Sequence, residues 1–152
     1  MKNKWILAKN IILPIALGGL VGLIISQFMD YNTLQKPPLS PPGFIFGIVW
    51  SILYLLMGIA YGMLVYKGKS DAEVSKIYWT QLIINLIWPI LFFVFKIRLF
   101  SSIWIIILLI LVINMVIKFY KKDKIIGYSQ IPYLLWIMFA TYLNIGVHIL
   151  NK

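Results

Sequence analysis

Between Lys76 and Lys96 the chain crosses a run of membrane-spanning length that carries no charge but does carry Gln81, Asn85 and Trp88. Steps of four and three residues put two amides and an indole along one face of a helix. Lipid offers such groups no hydrogen-bond partner, so this face must turn toward protein or toward a bound molecule. Four further uncharged runs of similar length surround it. Within a bilayer a helix satisfies its own backbone, which makes it the natural form for each run. The sequence therefore predicts an all-α membrane protein, a five-transmembrane-helix bundle with spans at about 5–28, 43–66, 77–95, 99–117 and 125–150. The longest connection, 29–42, is too short to bury a core of its own, so residues 1–152 read as a single transmembrane domain.

Composition agrees: 62% of the residues are apolar and 12% charged, too few charges to solvate a soluble surface. Cysteine is absent, which excludes disulfides, thiolate metal sites and cysteine nucleophiles. Lys2, Lys4 and Lys9 precede the first apolar run, as in a signal peptide. No small-residue cleavage site precedes Gln27, so the run reads as a retained span. The net charge of +10 is dispersed over short loops rather than along one helix face, which argues against a nucleic-acid partner. It reads instead as topology. Ten of the fourteen Lys and Arg residues fall at the N-terminus and in the second and fourth connections. Lys36, Lys96, Arg98 and Lys152 fall on the other side. The expectation is an integral membrane protein with its N-terminus in the cytoplasm and its C-terminus outside.

Several local features refine the bundle. Gly18 and Gly22 in span one form a small-xxx-small pair that admits a neighbouring backbone or a flat ligand. Ser40-Pro41-Pro42-Gly43 fixes the start of span two, with Ser40 as the expected cap. Pro37 and Pro38 stiffen the preceding loop, which is expected to pack over the bundle mouth. Span four, mostly isoleucine and leucine, is expected to face lipid or a second subunit. Span five holds Pro132 early, then Trp136, Ala140 and Asn144 on one face. At a rise of about 1.5 Å per residue, Trp50 lies roughly 10 Å below the outer surface, and Asn85, Trp88 and Trp136 near the midplane. The stripes are expected to meet in one volume in the outer half of the bundle.

Indoles, phenols, small residues and a few amides suit a flat, largely apolar ligand with polar edges. No Asp, Glu, Lys or Arg occupies the middle of a span, which argues against ion coupling and proton relay. Two readings of the polar stripe stay open: Gln81 and Asn85 either orient a ligand or bond across helices. Trp50, Trp88 and Trp136 either line a site or pack, whereas Trp5 and Trp79 sit near span ends as interface anchors. His148 lacks partners for a haem or metal role, and no metal site or cofactor is expected. The stretches 64–69 and 116–122 fit a loose sterol pattern, which a tyrosine followed by lysine at a membrane boundary meets in any case.

Three blocks resemble the translocator protein family, TspO/MBR, which includes bacterial tryptophan-rich sensory proteins and the mitochondrial peripheral benzodiazepine receptor. The first begins at Lys36-Pro37-Pro38-Leu39-Ser40-Pro41-Pro42-Gly43 and continues through Phe46, Trp50, Tyr54, Met57, Gly58 and Ala60. The second holds Trp79, Gln81, Leu82, Asn85, Trp88, Pro89, Phe92 and Phe93, and the third Pro132-Tyr133, Trp136, Phe139-Ala140 and Leu143-Asn144. Together they cover essentially the whole chain in order. The resemblance implies a five-helix bundle, often a homodimer, that binds porphyrins such as protoporphyrin IX, sterols or flat synthetic drugs beneath the first loop. By position it implies ligand contacts at Tyr31, Pro42, Phe46, Trp50, Asn85, Trp88, Trp136 and Ala140. The function it implies is that of a receptor or carrier. The alternatives are light- and oxygen-dependent porphyrin degradation, with Trp50 and Trp136 in the chemistry, or a structural membrane partner. Phe44 departs from the tryptophan common after Pro-Pro-Gly, and 145–152 lack the Tyr-then-Arg sterol motif of animal members.

Overall fold

The computed structural model describes residues 4–152, so Lys2, counted above with the N-terminal cations, lies outside the described residues. Five membrane-length apolar segments are present as expected, and no strand occurs among the described residues. Helix α1 spans Lys4–Ser26, α2 Gly43–Tyr66, α3 Ala72–Pro89, α4 Arg98–Lys122, α5 Lys124–Tyr128 and α6 Ile131–Leu150. Helix α3 continues as a π-helical turn over Ile90–Val94. Pro89 explains the change of winding, because it cannot donate the backbone hydrogen bond that an α-helix requires there. Nearby, the Trp104 indole donates to the Ile84 carbonyl at 2.9 Å and ties α4 to this part of α3.

The expected fifth span is two helices. Asp123 caps α5 by accepting from the Ile125 and Ile126 amides, and Pro132 opens α6 in its first turn. The third span begins earlier than expected because Asp71 accepts from the Val74 amide and starts α3 at Ala72. Ser40 does not cap α2. Its hydroxyl donates back to the Pro37 carbonyl at 2.7 Å, and Pro42 occupies the cap position.

Helix α4 is more central than expected. Ser101, Ser102, Ile105, Leu108, Val112 and Phe119 form a buried stripe against its neighbours, while Ile103, Ile106, Ile110 and Ile113 face outward. Helix α1 is the peripheral one, with Asn10 and Pro14 its only buried residues among those described. It packs mainly on α2.

At the end of the bundle that holds the α2–α3 and α4–α5 connections, ion pairs join the two. Lys69 meets Asp123 at 2.9 Å, Lys122 meets Asp71 at 2.6 Å and Lys118 meets Glu73 at 3.1 Å. The Lys69 hydrogen bond, aided by the capping amides, holds the Asp123 carboxyl down at about 2, from an ordinary 3.8. A depressed carboxylate contributes stability above its unfolded pKa and loses that contribution as pH falls to its folded one. The unfolding temperature in detergent is therefore expected to fall between about pH 3.8 and pH 2, and to fall less in Asp123→Asn. Equal slopes in the two proteins would show that the pair contributes nothing.

Candidate functional site

Every polar side chain of the α3 stripe finds a protein partner. Tyr54 of α2 donates to Asn85 Oδ1 at 2.7 Å, and Asn85 Nδ2 donates to the Tyr133 hydroxyl at 2.6 Å. Tyr133 in turn donates to Gln81 Oε1 at 2.7 Å, and Gln81 Nε2 to the Tyr78 carbonyl at 3.0 Å. One turn further along α3, the Trp88 indole donates to Asn144 Oδ1 at 2.8 Å. Asn144 Nδ2 then reaches Ser102 Oγ at 2.8 Å and the Arg98 carbonyl at 3.0 Å. This buried network fastens α2, α3, α4 and α6 to one another without a charge in the interior, as a low-dielectric interior requires.

Above it stands a cluster of rings. The centroid of Trp50 lies 5.8 Å from Tyr54, 6.3 Å from Trp88 and 6.3 Å from Trp136. Phe46 bridges outward, 5.8 Å from Trp136 and 4.9 Å from Tyr31. Tyr31, Phe46, Trp50, Trp88, Ala140 and Asn144 border one narrow void of about 10 Å³, closed in this conformation. That volume holds about one water at most, so the rings stand closed on one another. Trp136 lies at the edge of the cluster, and its indole N–H is buried without an acceptor. Pro42 stands at the head of α2, exposed, beside Pro41, whose carbonyl accepts from Tyr31. Asn85 sits below the rings, with its amide engaged by Tyr54 and Tyr133.

The stiff loop packs over this site as expected. Tyr31 is buried and donates to Pro41 at 2.7 Å, and burial pushes its phenol above the usual 10. Asn151 brackets Gln35 with two hydrogen bonds, at 3.0 and 2.8 Å, and Tyr142 donates to the Pro38 carbonyl. Pro37 lies so close to Gly146 that a Cβ there would sit 2.6 Å from its ring. Arg98 clasps both oxygens of Asp30 at 2.7 and 2.9 Å. Sequence reasoning missed that clasp and the role of Ser102. The opposite charges of Asp30 and Arg98 on one side of the membrane were the available signal.

The expected single volume is instead two spaces. Gly18, Gly22 and Phe44 border a larger cavity of about 430 Å³ between α1 and α2, which shares Phe46, Trp50 and Phe93 with the narrow inner void. Depth alone placed the glycines in the same outer half of the bundle as the aromatic stripe, but α1 sits outside it.

The sequence model of the TspO/MBR family matches residues 10–150. The chain belongs to that family. It is 34% identical over 148 residues to the tryptophan-rich protein TspO of Archaeoglobus fulgidus, covering 95% of this chain and 96% of that one. A TspO of Chlorobaculum tepidum is 32% identical, with 98% and 99% of the two chains aligned. The human translocator protein is 32% identical over 95% of this chain and 89% of its own. With five spanning helices, this member of the TspO/MBR family is an integral membrane protein in contact with the bilayer.

Proposed function

We propose that this TspO/MBR protein is an intramembrane receptor or carrier for flat, largely apolar molecules of the porphyrin type, with protoporphyrin IX as the model ligand. The contacts are Tyr31, Pro42, Phe46, Trp50, Trp88, Trp136 and Ala140, with Asn85 supporting the rings from below. The observation that carries this reading is the Trp136 indole, whose buried N–H lacks an acceptor while its ring meets Trp50 and Phe46 edge-on. A ligand with polar edges would supply the acceptor, and the rings its stacking surface. Relatives named translocator protein and tryptophan-rich sensory protein are in keeping with such a role. The whole chain acts as one five-helix unit, paired as a homodimer in a bacterial or archaeal membrane, with the N-terminus cytoplasmic. The charge asymmetry supports that orientation. Thr33→Cys in this cysteine-free chain should react with an impermeant thiol reagent in intact cells, and labelling only after lysis would reverse the topology.

A second reading, photo-oxidative porphyrin degradation, is favoured by the 6.3 Å approach of the two oxidisable indoles of Trp50 and Trp136. One pair of variants separates the two. If the protein only binds, Trp50→Phe and Trp136→Phe keep an aromatic face, and affinity should fall by about 1 kcal/mol. If it is a photo-oxidase, both should abolish the light- and oxygen-dependent loss of porphyrin absorbance at saturating protein. Wild-type decay no faster than free porphyrin in the same detergent removes the second reading.

A further inference from the structure

Helices α1 and α2 are packed tightly at one end and parted at the other. Where Asn10 meets Gly58, a Cβ on that glycine would lie 2.5 Å from the Asn10 carbonyl oxygen and 2.9 Å from the Ile11 Cα. A Cβ on Gly62 would lie 3.1 Å from the Leu7 side chain. Further along, Gly18 still abuts the Tyr54 ring. Beyond that contact the helices separate: no atom lies within 4 Å of where a Cβ of Gly19, Gly22 or Gly47 would stand. The wedge so formed holds the cavity of about 430 Å³, within the usual range for small-molecule sites.

Its walls are unlike each other. Helix α1 presents Gly18, Gly19 and Gly22 among Ile15, Val21 and Ile25, and α2 presents Phe44, Phe46, Trp50 and Tyr54, which leaves a slot with an aliphatic side and an aromatic side. No charged side chain borders it, and the Ser26 and Ser51 hydroxyls are spent on the Leu23 and Gly47 carbonyls. The far side of Phe46, Trp50 and Phe93 borders the closed inner void. By contrast, the loop over the mouth is held by Asn151, Gly146, Tyr142 and the Asp30–Arg98 clasp.

We propose that the wedge between α1 and α2 is a lateral vestibule, through which the flat apolar ligand passes from the bilayer to the inner aromatic site, with Phe46 and Trp50 as the movable partition. The proposal rests on the binding function above. A ligand dissolved in lipid reaches the vestibule without crossing water, and the Phe46, Trp50 and Phe93 rings stand between the two spaces.

The test is kinetic, with protoporphyrin IX preloaded into vesicles and tryptophan quenching followed in stopped flow after mixing with protein in nanodiscs. Gly19→Leu and Gly22→Leu, made separately, place side chains in open space and fill the vestibule from the α1 side. Each should slow association and dissociation together by about tenfold or more and leave the equilibrium constant within about twofold. Tyr142→Phe, which frees the loop from its Pro38 anchor, should leave both rates unchanged. Unchanged rates in the filled variants, or faster exchange in the freed one, overturn the vestibule while leaving the binding function standing. Lower affinity at an unchanged association rate also overturns it, because the wedge is then part of the resting site. Wild-type protein without saturable quenching removes the binding function itself, and the vestibule with it.

Discussion

Gly58→Leu is expected to unseat α1 and to be among the most damaging single changes in the molecule. The new Cβ would lie 2.5 Å from a backbone oxygen of Asn10 and 2.9 Å from the Ile11 Cα, so no side-chain rotation can make room. The helices must move apart, and α1 has little else to hold it, with only Asn10 and Pro14 buried among its described residues. Overpacking of this kind costs about 3 kcal/mol when the obstacle is backbone, toward the upper end for such changes. Thermal unfolding in detergent measures it, and Gly22→Leu, which meets open space, serves as the matched control. A Gly58→Leu protein that melted with wild type would show that the α1–α2 seam is looser than drawn.

Asn85→Leu is expected to lower stability by about 1 to 3 kcal/mol, because it orphans the buried Tyr54 hydroxyl and removes the donor to Tyr133. In a bilayer the loss tends to the lower end, since unfolded spans also find partners. Ligand affinity should change by only a few-fold, as Asn85 acts through the two phenols it holds. Tyr54→Phe, which removes the hydroxyl and leaves the ring, should recover part of the loss when combined with Asn85→Leu. Porphyrin affinity lost at an unchanged melting temperature would instead make Asn85 a direct ligand contact.

Much of the architecture was legible because lipid admits so few solutions. Long uncharged runs have to be helices, and amides within them have to face protein, so Gln81, Asn85 and Trp88 pointed inward without any knowledge of their partners. What periodicity could not say is who those partners are. Asn85 could have served a ligand or a neighbouring helix, and only the placement of Tyr54 and Tyr133 shows its amide engaged by protein. Depth gave a similar half-answer. Gly18 and Gly22 do border a space that Trp50 also lines, but rise per residue says nothing about lateral position, and α1 lies outside the ring of aromatic side chains. The fifth span was read as continuous because Asp123 and Pro132 were not recognised as two start signals close together. The stripe of α4 was hidden by composition, since isoleucine and leucine face lipid and core alike.

The central claim, a ligand site among Phe46, Trp50, Trp88, Trp136 and Ala140, is tested most directly by equilibrium titration of protoporphyrin IX against tryptophan fluorescence for wild type and Ala140→Leu. Ala140 is buried at the border of the inner void, where added bulk would take up the space proposed for the ligand. Saturable quenching is expected for wild type, with affinity lowered about tenfold or more in Ala140→Leu, equal to the loss of about 1.4 kcal/mol of binding energy. Equal affinity of the two proteins, with Ala140→Leu folded by its melting curve, would contradict an inner site.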